Sequence, residues 1–309
     1  MNHLKSILLA SALISGISIT AHAEINVVSS VKPLHSLVSG VMEGLARPDL
    51  IVKGSASPHT YSLRPSQARQ LEDADLVFWM GHELESFLEQ PLEAIATKAH
   101  IVELIDSSKL KKIKMREGGM FDAHAHDDHD EHEGHGEFDV HVWLDPENAK
   151  VLVDEIKLAL IELDPVNASK YESNSNKMNT KLDQLMDEVS NKLKSEQGKG
   201  YVVFHDAYQY FEQRFGMSAV GSITVSPEVV PGANRIRELK EKINELNAHC
   251  VFSEPQFEPK LVSTVIEGTQ ANTGVLDPLG ASIKDGPELY FTLIRKMADS
   301  LHECLSKKD

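Results

Sequence analysis

Cysteine is scarce in this chain. Only Cys250 and Cys304 occur among 309 residues, and their wide separation excludes the Cys-x-x-Cys pairs of zinc knuckles and thiol redox centres. Positive charge is also in deficit: 31 Lys and Arg against 47 Asp and Glu leave a formal charge of −16. That balance argues against nucleic acid and anionic membrane as partners and suits a protein that meets cations. Long apolar runs are confined to the N-terminus, and no later stretch approaches the ~18 apolar residues of a membrane span. Catalytic signatures are missing too. There is no Gly-x-Ser-x-Gly elbow and no phosphate-binding glycine loop, and His82-Glu83-Leu84-Glu85-Ser86 fails the zinc-protease pattern His-Glu-x-x-His at its fifth position. These absences lower the expectation of an enzyme.

What is present begins with Lys5, an apolar run from Ile7 to Thr20, and the small-residue pattern Ala21-His22-Ala23. This predicts a secretory signal peptide over 1–23 and a soluble mature chain beginning near Glu24. No Cys follows the cleavage site, so a lipid anchor is not expected, and a bacterial periplasm is the natural compartment. Two cysteines in an exported protein most often pair. A Cys250–Cys304 disulfide is therefore expected, contributing roughly 2 to 4 kcal/mol and fastening the last helix to the C-terminal lobe.

The most biased stretch is Phe121 to Trp143, with six histidines and eight carboxylates. Imidazole and carboxylate are the lone-pair donors for divalent metal, and a segment built of them with Gly and few aliphatic residues cannot bury a core. The acidic, His-rich interval 117–138 reads as a metal-collecting loop; a solvated acidic linker is the plainer alternative.

Elsewhere short β-branched runs alternate with helical periodicity. Strands are expected at Ile25–Ser30, Asp49–Val52, Leu76–Met80 and Ile101–Leu104. Helices are expected from Pro33 to Gly44, from Pro65 to Leu71, over Glu83–Ala99 and over Glu147–Leu163. Tyr171, Met178, Leu182, Leu185, Val189 and Leu193 form one apolar stripe on a long helix carried from Asp164-Pro165 to about Ser195; two shorter helices broken near Ser173–Asn176 are the alternative. The second half repeats the alternation. Its strands are Tyr201–Phe204, Ala219–Val225, His249–Phe252 and Gly274–Leu276, and its helices Tyr208–Phe215, Ile236–Leu246, Lys260–Gln270 and Leu289–Leu305. The expectation is an α/β fold of two small parallel-sheet lobes, 24–163 and 197–309, joined by a backbone helix over 164–196.

In such lobes ligands bind at the carboxyl ends of strands. His59, His141 and His205 are placed there, one just before Trp143-Leu144-Asp145-Pro146 and the others after strands of the two lobes. A lone histidine is more often a satisfied packing residue than a ligand; three at equivalent places are harder to dismiss. Three imidazoles suit tetrahedral zinc, whereas an oxygen-rich set would suit manganese or magnesium. Water or Asp277 could complete the sphere, although Asp277 before Pro278 could equally cap a turn. Glu254 reads as a structural carboxylate. His35, His82, His100, His249 and His302 read as surface or packing residues.

Four segments carry a resemblance over essentially the whole mature chain: Ser57-Pro58-His59-Thr60-Tyr61-Ser62-Leu63-Arg64-Pro65-Ser66, Asp139-Val140-His141-Val142-Trp143-Leu144-Asp145-Pro146, Phe204-His205-Asp206-Ala207-Tyr208 and Leu276-Asp277-Pro278-Leu279-Gly280. The chain resembles the zinc-uptake substrate-binding proteins of bacterial ABC transporters. The resemblance implies a rigid two-lobe periplasmic receptor with a backbone helix; a monomer is expected. It would hold one zinc in the cleft through His59, His141 and His205 and deliver it to an inner-membrane ABC permease. It also supports the disulfide, and a His-rich acidic loop before the second histidine is typical of the zinc members; because a flexible loop cannot preorganise tetrahedral geometry as strand ends can, His124, His126, His129, His132 and His135 read as an accessory that captures, passes on or senses zinc weakly. Manganese-type relatives look to have a carboxylate where His205 stands. Some zinc relatives carry Glu just before the first histidine, where this chain has Pro58. A zinc hydrolase, or a metal-buffering or adhesion protein with the His-rich loop as its working part, are the competing readings.

Overall fold

The computed structural model describes residues 25–116, 137–224, 231–246, 248–258 and 260–307. The predicted signal peptide and most of the predicted metal-collecting loop lie outside the described residues.

Two four-stranded parallel sheets form the two lobes. In the first, β1 (Val27–Ser29), β2 (Asp49–Leu50), β3 (Leu76–Trp79) and β4 (His100–Glu103) run in the order β2-β1-β3-β4. In the second, β5 (Tyr201–Val203), β6 (Ala219–Ser222), β7 (Cys250–Ser253) and β8 (Asn272–Val275) repeat it as β6-β5-β7-β8. The central strands are apolar and buried along nearly all their length, as parallel strands covered on both faces must be. The edge strands β4 and β8 are partly exposed.

The helices of the first half are α1 (Lys32–Val41), α2 (Pro65–Asp73), α3 (Ser86–Ala94) and α4 (Pro146–Leu163). Proline near the first position of α1, α2 and α4 costs no hydrogen bond there and presets the helical φ. Asp145 caps α4 by accepting from the Glu147 N–H at 2.9 Å. Helix α3 is shorter than the predicted Glu83–Ala99, and Pro91 inside it removes a backbone donor.

The long helix exists as α5 (Ala168–Leu193), 26 unbroken residues, so the break near Ser173–Asn176 does not occur. Pro165–Asn167, expected as its first turn, is a separate 3-10 turn. The predicted stripe is buried along α5. The second half adds α6 (Gln209–Phe215), α7 (Ala233–Glu245), α8 (Lys260–Ile266) and α9 (Leu289–Leu305). Helix α5 packs on α4, α1 and α9, and α9 also reaches α1. One apolar core therefore runs from the first lobe through these helices into the second, while a smaller cluster around Val202, Phe204, Ile223, Leu239 and Val251 fills the outer side of the second sheet.

Cys250 on β7 and Cys304 on α9 are disulfide-bonded with Cα atoms 6.2 Å apart. Among the described residues no helix is long and apolar enough to cross a membrane.

Candidate metal site

Both sheets reverse their strand order between the first and third strands, and the crevice beyond that point is where α/β folds collect ligands. His205 follows β5, and Glu254 follows the neighbouring β7. His59 sits in a 3-10 turn, Pro58–Thr60, after β2. His141 departs from the strand-end expectation: it opens the 3-10 turn Val142–Leu144 that leads into α4. A single antiparallel bridge, Lys114 to Phe138, precedes it.

The three imidazoles converge. Each offers a ring nitrogen within 4.8 Å of the others, and among the described residues they are the one such group of metal-ligating side chains. Ring centroids lie 5.5 Å (His59 to His141), 5.8 Å (His59 to His205) and 5.3 Å (His141 to His205) apart. His141 and His205 are buried, and His59 is half-buried.

Two carboxylates orient two of the rings. Asp139 Oδ1 lies 2.7 Å from His141 Nδ1 and accepts the His141 backbone N–H at 3.0 Å. Glu254 Oε1 lies 2.7 Å from His205 Nδ1. A carboxylate at Nδ1 places the proton there and leaves Nε2 as a lone pair, the arrangement usual behind a metal-bound histidine. The Nε2 atoms of His141 and His205 stand 3.5 Å apart. Two nitrogens ~2.05 Å from one tetrahedral zinc would be separated by about 3.3 Å, so the pair is spaced for a shared ion.

The electrostatics favour neutral ligands at two of the three positions. Burial, reinforced by the neighbouring His141 and His205, pushes His59 down to about 2. Burial, with His205, also holds His141 well below the ordinary histidine range. His205 goes the other way. Burial opposes its protonation, but the charge and hydrogen bond of Glu254, with Asp206 and Asp139, raise it. Burial pushes Asp139 up to about 7 against the donors around it.

The cavity between the rings holds about 10 Å³ and is walled by Leu84, Trp143, Phe257, Pro278 and Leu279. That is room for an ion or a water molecule and not for an organic ligand.

Asp277 lies outside this convergence. Its Oδ1 accepts from the Leu279 and Gly280 N–H groups and from Gln256 Nε2, and its Oδ2 from the Ala281 N–H at 2.6 Å. Of the two readings the sequence left open, this is the turn cap. His35 is buried with Nε2 3.0 Å from Pro48 O, His82 lies near Glu103, and His302 bonds Glu196. His124, His126, His129, His132 and His135 lie outside the described residues. Sequence reasoning passed over Asp139 as a partner of His141. The Asp-x-His spacing was a usable signal, since a carboxylate two residues back can reach Nδ1. Nothing in the sequence marked Gln209, whose Nε2 donates to Asp139 Oδ2 at 3.2 Å.

The zinc-uptake complex component A family, periplasmic (ZnuA), matches residues 27–304. The high-affinity zinc uptake system protein ZnuA of Brucella suis biovar 1 is 51% identical over 99% of this chain and 100% of its own length. The Yersinia pestis protein of the same name is 37% identical over 98% of each chain. A crystal structure of ZnuA superposes with a TM-score of 0.78 over 92% of this chain and all of its own at 23% identity, a likeness of fold. A family match that spans both lobes and the three histidines, together with a relative 51% identical along nearly the whole chain, shows that the chain belongs to the ZnuA family of periplasmic zinc-uptake components.

Proposed function

We propose that this chain is a periplasmic receptor that captures zinc(II) in its inter-lobe cleft and delivers it to an ABC-type membrane permease. His59, His141 and His205 are the protein ligands and a water molecule is the fourth. The observation that carries the reading is the convergence of three ring nitrogens within 4.8 Å from both halves of the chain. With Asp277 engaged by backbone donors, water is the fourth ligand that the geometry favours.

The same arrangement of three ligands and an open position serves catalysis in zinc hydrolases. A cavity of about 10 Å³ leaves no place for an organic substrate beside the ion, which supports a receptor over an enzyme; that receptor would act as a monomer. The 1–23 segment would direct export. The histidines from His124 to His135 would be accessory, so that deleting Asp122 to Gly136 leaves one tight zinc site; a metal buffer would lose most of its binding instead.

Titration calorimetry on metal-stripped protein tests the reading. One tight zinc per chain near neutral pH is expected, weakened on the order of a hundredfold or more in His205→Ala, since a zinc site loses a large share of its binding energy with one ligand. Absence of a tight site, or an unchanged one in His205→Ala, would overturn it.

A further inference from the structure

By sequence His141 belongs to the first half of the chain, yet its surroundings come largely from the second. Asp139, buried, uses Oδ1 for the His141 ring and backbone. Its Oδ2 accepts from Gln209 Nε2 at 3.2 Å, and Gln209, buried as well, opens α6. The next residue, Tyr210, donates its hydroxyl proton to Asp139 O at 2.7 Å and accepts the Ile113 N–H at 3.1 Å. On the other side of the histidine, Trp143 Nε1 donates to Pro278 O at 2.9 Å, and Tyr290 of α9 donates to Trp143 O at 2.6 Å. Arg214 of α6 grips Asp145 with two bonds, of 2.6 and 2.9 Å. The segment around His141 is thus pinned to the half that carries His205.

Of these contacts only Gln209 reaches the carboxylate that sets the imidazole. A buried carboxylate holds one orientation only while both oxygens are satisfied. Without the amide, Oδ2 would be left in a dry environment, and the relief is rotation of Asp139, which draws Oδ1 away from the Nδ1–H of His141. We propose that Gln209 is a positioning residue for His141. Through Asp139 the second lobe fixes the tautomer and ring angle of a ligand supplied by the first, so that His141 and His205 form one preorganised pair and His59 is presented separately. The inference rests on the assignment of His141 as a zinc ligand.

The test uses the full chain, stripped of metal, with zinc affinity read by competition against a chelating dye and the site geometry read from the d–d bands of bound cobalt(II). Gln209→Met keeps the volume and removes the donor. Expected are one metal per chain, zinc affinity lower by about 10- to 100-fold, and altered cobalt bands. In an Asp139→Ala background the same substitution should cost no more than about twofold, because the oxygen it serves is gone. Three results would overturn the inference: unchanged affinity in Gln209→Met, an undiminished loss in the Asp139→Ala background, or lower urea stability of the metal-free protein with the cobalt bands unmoved. Should Gln209→Met fail to fold, Gln209→Asn, which withdraws the amide by one methylene, carries the same comparison. His141→Ala separates the two levels. If it leaves zinc binding intact, the ligand assignment falls and the inference with it; if it abolishes tight binding while Gln209→Met does nothing, only the inference falls.

Discussion

At the scale of single residues the site is built from unlike histidines. His59 and His141 are held neutral, chiefly by burial, so protons scarcely compete with zinc for them in the range where ordinary imidazoles titrate. His205 is raised because Glu254, with Asp206 and Asp139, outweighs burial, and a proton on its Nε2 takes the lone pair that zinc needs. Zinc affinity should therefore begin to fall above the ordinary histidine value of about 6.5. Only His205, helped by Asp139 near 7, contributes protons to the exchange. The plot of log affinity against pH should approach a slope of one to two at mildly acidic pH, whereas three ordinary imidazoles would give about three. Chelator competition between pH 5 and 8 measures it. In Glu254→Gln the onset should move to lower pH, since the charge that raises His205 is gone, while affinity at pH 8 drops about tenfold. A slope of three, or an onset unmoved in Glu254→Gln, would show that the residues do not divide the work this way. The three histidines were legible in the sequence because each lies at the boundary of an α/β element, His59 after Pro58, His205 after Phe204 and His141 two residues before Trp143. Asp139 was half-legible through its spacing. Gln209 was not, because its role depends on bringing α6 against a segment 70 residues earlier, and periodicity carries no signal for that.

At the scale of elements, two junctions invite measurement. Glu85, fully buried between β3 and α3, accepts the Met80 and Gly81 N–H groups at 2.7 and 3.2 Å. Burial pushes it up to about 7 against those bonds. A carboxyl raised in the folded state binds its proton more tightly there than in the unfolded chain. Its contribution is therefore complete below the ordinary carboxyl range and is lost as pH rises through about 7. Glu85→Gln should stabilise the protein at pH 8, by at most about 3 kcal/mol, and do little at pH 4.5; equal effects at both pH values in urea unfolding would refute it. The second junction is the disulfide from β7 to α9, which closes a sequence separation of 54 residues. On loop entropy it is worth about 4 kcal/mol. Replacing Cys250 and Cys304 together by Ser should lower stability by about that amount while leaving zinc stoichiometry at one, since neither cysteine lines the cavity between the histidines. Element types were readable throughout because the strands are short, apolar and flanked by turn residues. Element ends were less so: α3 runs only from Ser86 to Ala94 and continues through Pro91, and Pro165 opened a 3-10 turn where a helix start was expected, because proline permits more than one local geometry and packing chooses between them.

At the scale of the whole molecule, what matters is how two lobes with separate sheets keep three histidines within 4.8 Å of one another. Part of the answer is the shared core around α5, and part is a polar clamp that the sequence did not disclose. Arg116, between β4 and α4, places Nε 2.8 Å from Asp206 Oδ2 and Nη1 3.0 Å from Glu212 Oε2, joining the first lobe to the residue next to His205 and to α6. All three side chains are largely buried, so removing the guanidinium strands two carboxylates away from water. Breaking such a cluster costs more than the pair itself contributes, about 3 kcal/mol or more. The cost must depend on pH. Burial already pushes Glu212 up to about 6 with Arg116 in place to lower it; without that partner Glu212 would hold its proton to higher pH still. The folded variant then binds more protons than the folded native protein, so its relative stability falls as pH rises. Arg116→Gln should accordingly be destabilised by about 3 kcal/mol at pH 8 and by clearly less at pH 5, in urea unfolding of the metal-free chain. Zinc should stabilise both chains, because an ion bound only by the folded arrangement adds stability in proportion to the logarithm of its concentration over its dissociation constant, about 2.7 kcal/mol at a hundredfold excess over that constant; with the clamp gone the variant should bind more weakly and gain less at the same zinc concentration, so the deficit at pH 8 should widen. A deficit equal at pH 5 and pH 8 would mean that Arg116 contributes packing alone. A deficit that zinc leaves untouched would mean that the clamp and the metal do not draw the same two lobes together.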